Sequence, residues 1–88
     1  MPIEIQLALW QIIDTRKERG DQLDYLQVFE LFVEIVDGEP LQRVLNRQEQ
    51  PEHTELVSVY NVSQPLDGMT IWGLDSRTYS VMILPEEY

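Results

Sequence analysis

The chain contains no cysteine, a single histidine and six basic residues against sixteen acids. Without cysteine, disulfides, thiolate metal sites and thiol nucleophiles are excluded, which suits a reducing cytoplasmic setting. Any hydrolytic or acid–base scheme that needs an imidazole must use His53. The shortage of bases gives a formal charge of −10, which repels phosphate backbones and anionic lipid heads. Direct nucleic-acid or membrane binding is therefore not expected. A basic protein partner fits, and so does a charge that serves solubility alone. Gly20, Gly38, Gly68 and Gly73 are too scattered to cradle a phosphate, and Ser58, Ser63, Ser76 and Ser80 lie in no nucleophile-elbow pattern. Long apolar runs are also missing. MPIEIQLALW is interrupted by Glu4 and Gln6 and has no basic start, so neither signal peptide nor membrane span is expected.

What is present suffices for a folded domain. Hydrophobic residues make up 43 % of the chain and charged ones 25 %, enough apolar material for one core spanning 1–88, with about 60–65 % of the unfolded surface removed from water at this size. Pro2 suits a first helical position, and Ile5, Leu9, Ile12 and Ile13 form one stripe opposite Glu4, Gln11, Thr15 and Glu18. An amphipathic helix over 2–19 follows. Arg16, Lys17 and Arg19 favour its C-terminal dipole, and Gly20 ends it. Trp10 on the flank reads as a core anchor, whereas Leu7 falls on the polar side.

A sheet over 24–84 follows. Its centre is Asp24 to Val36, DYLQVFELFVEIV. Alternation puts Tyr25, Phe29, Leu31, Val33 and Ile35 on one face, with Gln27 the only polar member, and that face should meet the helix. The opposite parity holds Leu26, Val28, Glu30, Phe32, Glu34 and Val36. Four apolar residues among six are too many for a solvated face, so these six form the candidate interaction surface. The length of the stretch also predicts a bulge or bend. Asp37-Gly38 is a strong turn pair, after which a hairpin strand returning through residues 41–48 is the first choice, with a short helix of the same spacing as the alternative. The polar segment Glu49 to Glu55 reads as a loop or corner before a strand over 56–60. Strands over 69–74 and 79–84 read as a hairpin joined by Asp75-Ser76-Arg77, and apolar residues on both of their parities imply cover on both sides. Residues 85–88 form an acidic tail. The fold class is α+β, an N-terminal helix packed on an antiparallel sheet of about four to five strands, or alternatively a small bent barrel-like sheet.

Three stretches carry a family resemblance: LWQIIDTRKERGDQLDYLQVFEL at Leu9 to Leu31, NRQEQPEH at Asn46 to His53, and SVMILPEEY at Ser80 to Tyr88. Together they resemble DUF960, a family of small Firmicutes proteins catalogued as a domain of unknown function. The resemblance implies no activity. It does imply an additional segment before the helix, similar to an edge strand, so that one sheet edge is open here or covered by a partner.

The second candidate site is the corner Gln48, Glu49, Gln50, Glu52 and His53. His53 with Glu49, Glu52 and Glu55 could offer metal ligands, but Pro51 prevents the helix that would align Glu49 with His53. A solvated corner whose glutamines bond nearby backbone fits the same residues. No cofactor and no metal is expected. Three functions stay open: a non-enzymatic module that binds a protein or itself, as a possible homodimer; an acidic mimic of nucleic acid that inhibits a DNA- or RNA-binding protein; and a small metal-dependent enzyme using His53.

Overall fold

The computed structural model describes residues 2–60, 62–75 and 80–87. Helix α1 spans Ile3–Glu18, one residue shorter at each end than its sequence pattern suggested. Pro2 stands at its N-cap without a side-chain bond, and its carbonyl accepts from the Ile5 and Gln6 amides. At the other end Gly20, with φ +83°, donates to the Lys17 carbonyl while Asp21 donates to that of Arg16. This paired closure is the Schellman motif, and it needs the left-handed conformation that glycine adopts without a Cβ penalty. Ile3 and Leu7 are exposed on the outer surface of the helix. No helix of the described residues is long and apolar enough to cross a membrane.

Five strands follow: β1 Leu26–Val36, β2 Glu39–Glu49, β3 Glu52–Val59, β4 Met69–Asp75 and β5 Ser80–Ile83. They form one antiparallel sheet in the order β3-β2-β1-β4-β5. The first four make a Greek key, with the chain crossing from one edge of the sheet to place β4 beside β1. The sheet is open, so the barrel-like alternative is not adopted. Residues 41–48 are strand, because their alternate side chains bury against α1.

Several local expectations are corrected. The pairing of β1 with β2 runs without a break from Val28↔Arg47 to Val36↔Glu39, so the strand has no bulge. Its length is absorbed differently. Pairing of β1 with β4 stops at Leu31↔Met69 and that of β2 with β3 at Gln42↔Val59, so the end of the β1–β2 hairpin projects beyond its neighbours. Ile35 at this tip and Tyr25 before the strand are exposed, and neither meets the helix. The turn itself is as anticipated, with Asp37 at φ 51° and Gly38 at φ 78°, the two positive angles of a type I′ connection. Residues 49–55 are no loop: β2 and β3 pair through Glu49↔Glu52 across a tight Gln50-Pro51 turn whose peptide is cis. Pro85–Glu87 forms a single 3-10 turn in place of a tail. Residues 76–79, expected to join the last two strands, lie outside the described residues.

The core lies between α1 and one face of the sheet. Ile5, Leu9, Ile12 and Ile13 meet Phe29, Leu31, Val44 and Ile71, and Trp10 packs at the margin. At about 1.5–3 kcal/mol for each large side chain withdrawn from water, this contact is the main source of stability. Gln42 closes the layer at the hairpin end. Its amide donates to the Leu66 carbonyl and accepts from the Leu66 N–H at 2.6 Å, which straps the crossing loop over the sheet. Among the described residues no element lies on the other face, so the expected cover on both sides is absent.

Candidate functional site

The feature that stands out beneath the helix is a buried cation. Arg16 is 1 % exposed, because its position continues the Ile5, Leu9, Ile12 stripe by one turn and points its guanidinium onto the sheet. There it meets the amides of Gln27 on β1 and of Asn46 and Gln48 on β2. Nη1 donates to Gln27 Oε1 at 2.8 Å and to Asn46 Oδ1 at 2.9 Å, and Nη2 donates to Gln48 Oε1 at 2.8 Å. Nε reaches Asp21 Oδ2 at 3.3 Å. The amides are themselves cross-linked. Gln27 Nε2 donates to Gln48 Oε1 and to the Asp24 carbonyl, Asn46 Nδ2 to Gln27 Oε1, and Gln48 Nε2 to the Gln22 and Pro51 carbonyls. Asp24 completes the cluster by accepting from the Tyr25 and Gln50 amides.

One cation under neutral acceptors needs charge balance nearby. Asp21 also holds Arg19 at 2.7 Å, and Arg19 holds Glu55 at 2.8 Å, so two cations and two carboxylates sit together at the end of α1. Hydrogen bonds from Arg19 hold both carboxyls below their usual values of 3.8 and 4.5. A lowered folded-state pKa adds stability above the unfolded value, and that stability is lost as pH falls through the folded one. Between pH 5 and 3 the urea midpoint of the wild-type protein is expected to fall more than that of Arg19→Ala, which lacks the cause. Parallel titration curves for the two proteins would show that these pairs are not linked to folding. The void beside Gln27 and Gly73 is about 10 Å³, the size of a single water site and too small for a substrate. The arrangement fixes the helix to the sheet.

The sequence-derived corner is divided by the structure. Gln48 is buried and fully engaged in the Arg16 cluster. Glu49, Gln50 and Glu52 are exposed around the turn, and the two glutamates face each other across it. His53 Nε2 lies 3.4 Å from Glu55 Oε1, with no hydrogen-bond partner. No group of three histidine or carboxylate side chains among the described residues could hold a metal ion.

The other candidate, the second parity of β1, is brought together. Leu26, Val28, Glu30 and Phe32 are half-buried on the face away from α1, and Glu34 and Val36 are exposed at its end. Neighbouring strands extend the patch through Leu45, Leu56, Trp72 and Ile83. Across it Arg47 pairs with Glu30 at 2.9 Å and Arg43 with Glu34 at 3.4 Å. Each is a diagonal neighbour on the same face, and exposed pairs of this kind contribute about 0–1 kcal/mol.

A family model described as a staphylococcal protein of unknown function, DUF960, matches residues 1–87. The chain belongs to this family. No curated protein and no solved structure matches it. In this DUF960 chain the cluster around Arg16 was not anticipated, since that arginine reads as a solvated last-turn cation. A signal was present: Gln42, Asn46 and Gln48 alternate on β2 with Val44, and Gln27 interrupts an apolar parity on β1. Amides at inward positions call for a donor above them.

Proposed function

We propose that the protein is a non-enzymatic interaction module that pairs with a second copy of itself through the uncovered face of the sheet. The observation that carries this reading is the apolar patch of Leu26, Val28, Phe32, Leu45, Leu56, Trp72 and Ile83, which has no layer over it among the described residues. Five strands about 4.8 Å apart, averaging about seven residues where they pair, give a plane of about 550 Å² before side-chain relief. That plane, its charged residues included, lies at the upper end of the roughly 300–600 Å² covered by the largest patch on a typical monomer and is on the scale of a small dimer interface. Charge favours a copy over a basic partner. Glu30 and Glu34 in the middle of the face are paired with Arg47 and Arg43, and Glu39, Glu49 and Glu52 lie at its ends, so a chain of charge −10 presents a centre without net charge across which like-charged molecules can meet. Two such faces stacked about 10 Å apart would interdigitate their side chains around a two-fold axis.

Light scattering at micromolar concentration is the test. The wild-type protein is expected at the dimer mass. Leu56, 48 % exposed, gives the mildest disruption, and Leu56→Asp should be a monomer with unchanged far-UV circular dichroism. Phe32→Glu should behave in the same way. A wild-type monomer up to about 100 μM, where even weak homodimers associate, or a Phe32→Glu protein that unfolds, removes the support for this reading.

A further inference from the structure

A second surface is built differently and takes a different occupant. Strand β3 is an edge, paired on one side only with β2. The opposite edge, β5, is four residues long, whereas β3 offers eight. Natural edges are blunted by charged side chains, lysine above all, and by proline, bulges or short length. The β3 sequence EHTELVSV has neither lysine nor proline, and its register with β2 is unbroken. Its outward N–H and C=O groups therefore form a template for another strand.

A groove of about 390 Å³ runs beside this edge, between β3 and the flank of α1. Its floor is Ile12, Val57 and Val59, and its helix wall is Ala8, Gln11 and Thr15. The wall is low at Ala8 and Thr15, whose side chains are small. The opposite flank of α1 carries Trp10 and Lys17 instead, and the void there is about 10 Å³. Helical spacing sets Glu4 and Glu18 at the two ends of the Gln11–Thr15 row, and β3 contributes Glu55. Against these three acids stands Arg19, so three minus one leaves an excess of two negative charges around the groove.

We propose that this groove binds an extended, basic segment of another protein, which adds to β3 as a sixth strand. Main-chain bonds to the edge supply affinity, alternate apolar side chains enter over Ile12, Val57 and Val59, and lysines or arginines face the acidic rim. Charge decides against a second copy at this site. A like chain would bring its own Glu18 and Glu55 against the same residues and a charge of −10 against −10, whereas a cationic strand is attracted within the screening distance of about 8 Å. The interface differs from the uncovered sheet face in location, charge and partner.

The probe is a synthetic decapeptide alternating lysine and valine, titrated into the isotope-labelled protein while backbone amide resonances are followed. Its counterpart alternating glutamate and valine is the control. Shifts are expected from Glu52 to Val59 and along Ala8 to Thr15, with a Kd below about 1 mM that weakens as salt is added. Ala8→Phe and Thr15→Phe fill the groove and should each weaken binding about tenfold, a change of about 1.4 kcal/mol. Thr15 is exposed, so its variant keeps the fold should Ala8→Phe not. The proposal is overturned by any of four results: no shifts at about 1 mM peptide, equal binding of the glutamate peptide, shifts confined to the open sheet face, or concentration-dependent shifts of Glu52 to Val59 without peptide, which give the edge to a second copy.

Discussion

Replacing Arg16 by alanine is expected to lower the unfolding free energy by about 3–5 kcal/mol, the loss that follows when one partner of a buried charged network is removed. The four hydrogen bonds of the guanidinium disappear together. Their acceptors fare unequally. Gln27 Oε1 keeps the Asn46 amide and Gln48 Oε1 keeps that of Gln27, but Asn46 Oδ1, on a fully buried residue, loses the donor that held it. A buried acceptor without a donor costs about 1–3 kcal/mol, and the helix also loses the contact that anchors its last turn. Water entering the space of the missing guanidinium sets the low end of the range. For a domain whose whole stability is of order 5–15 kcal/mol, this is a large fraction of the total. Urea denaturation followed by tryptophan fluorescence measures it. Arg16→Lys should recover less than half of the loss, because a compact ammonium cannot match four acceptors set around a planar fork. A loss under about 1 kcal/mol, the scale of an exposed ion pair, would mean that the cluster does not organise the fold.

The contrast between Arg16 and its neighbours explains what was legible in the sequence and what was not. Helix α1 and the inward parity of β1 were legible because burial imposes a period, 3.6 residues on one and 2 on the other, and the apolar residues obey both. The Asp37-Gly38 turn was legible because two positive φ angles admit few residue pairs. Gly20 marked the helix end for the same steric reason. The missed features depend on partners remote in sequence. Arg16 lies 30 residues from Asn46 and 32 from Gln48, and nothing local distinguishes a buried last-turn arginine from a solvated one. The segment from Glu49 to Glu55 was misread because its polarity suggested a loop. As the end of one strand and the start of an edge strand, it needs to bury little, so its composition carried no strand signal. The same reasoning applies to the candidate sites. The outward parity of β1 was visible as surplus apolar residues, and the structure leaves that face uncovered. The β3 groove was invisible, since it exists only where a short side chain on α1 stands opposite an unpaired strand edge.

A second large loss is expected for Phe29→Ala, at about 3–5 kcal/mol, the range for removing an aromatic ring from a packed core. Phe29 is wholly buried, between Asn46 on β2 and Ile71 on β4, with α1 above it. Strands on both sides prevent the backbone from closing the cavity. One neighbour can respond. The ring lies 3.2 Å from where a side chain on Gly73 would begin, and Met82 Sδ lies 3.3 Å from the same point, so the flexible thioether can move into part of the vacated volume. The loss should therefore fall in the lower half of the range, and urea denaturation at a fixed protein concentration checks it. Phe32, three residues further on and on the opposite face, provides the internal comparison. It is half-buried, and Phe32→Ala should cost the monomer only about 1 kcal/mol, as for an ordinary partly exposed site, while weakening self-association. Equal losses for the two phenylalanines, with no change in molecular mass, would make both faces of β1 core and leave the protein without its proposed dimer surface. Unequal losses, with dissociation confined to Phe32→Ala, would separate the residues that build the fold from those that present it to a partner.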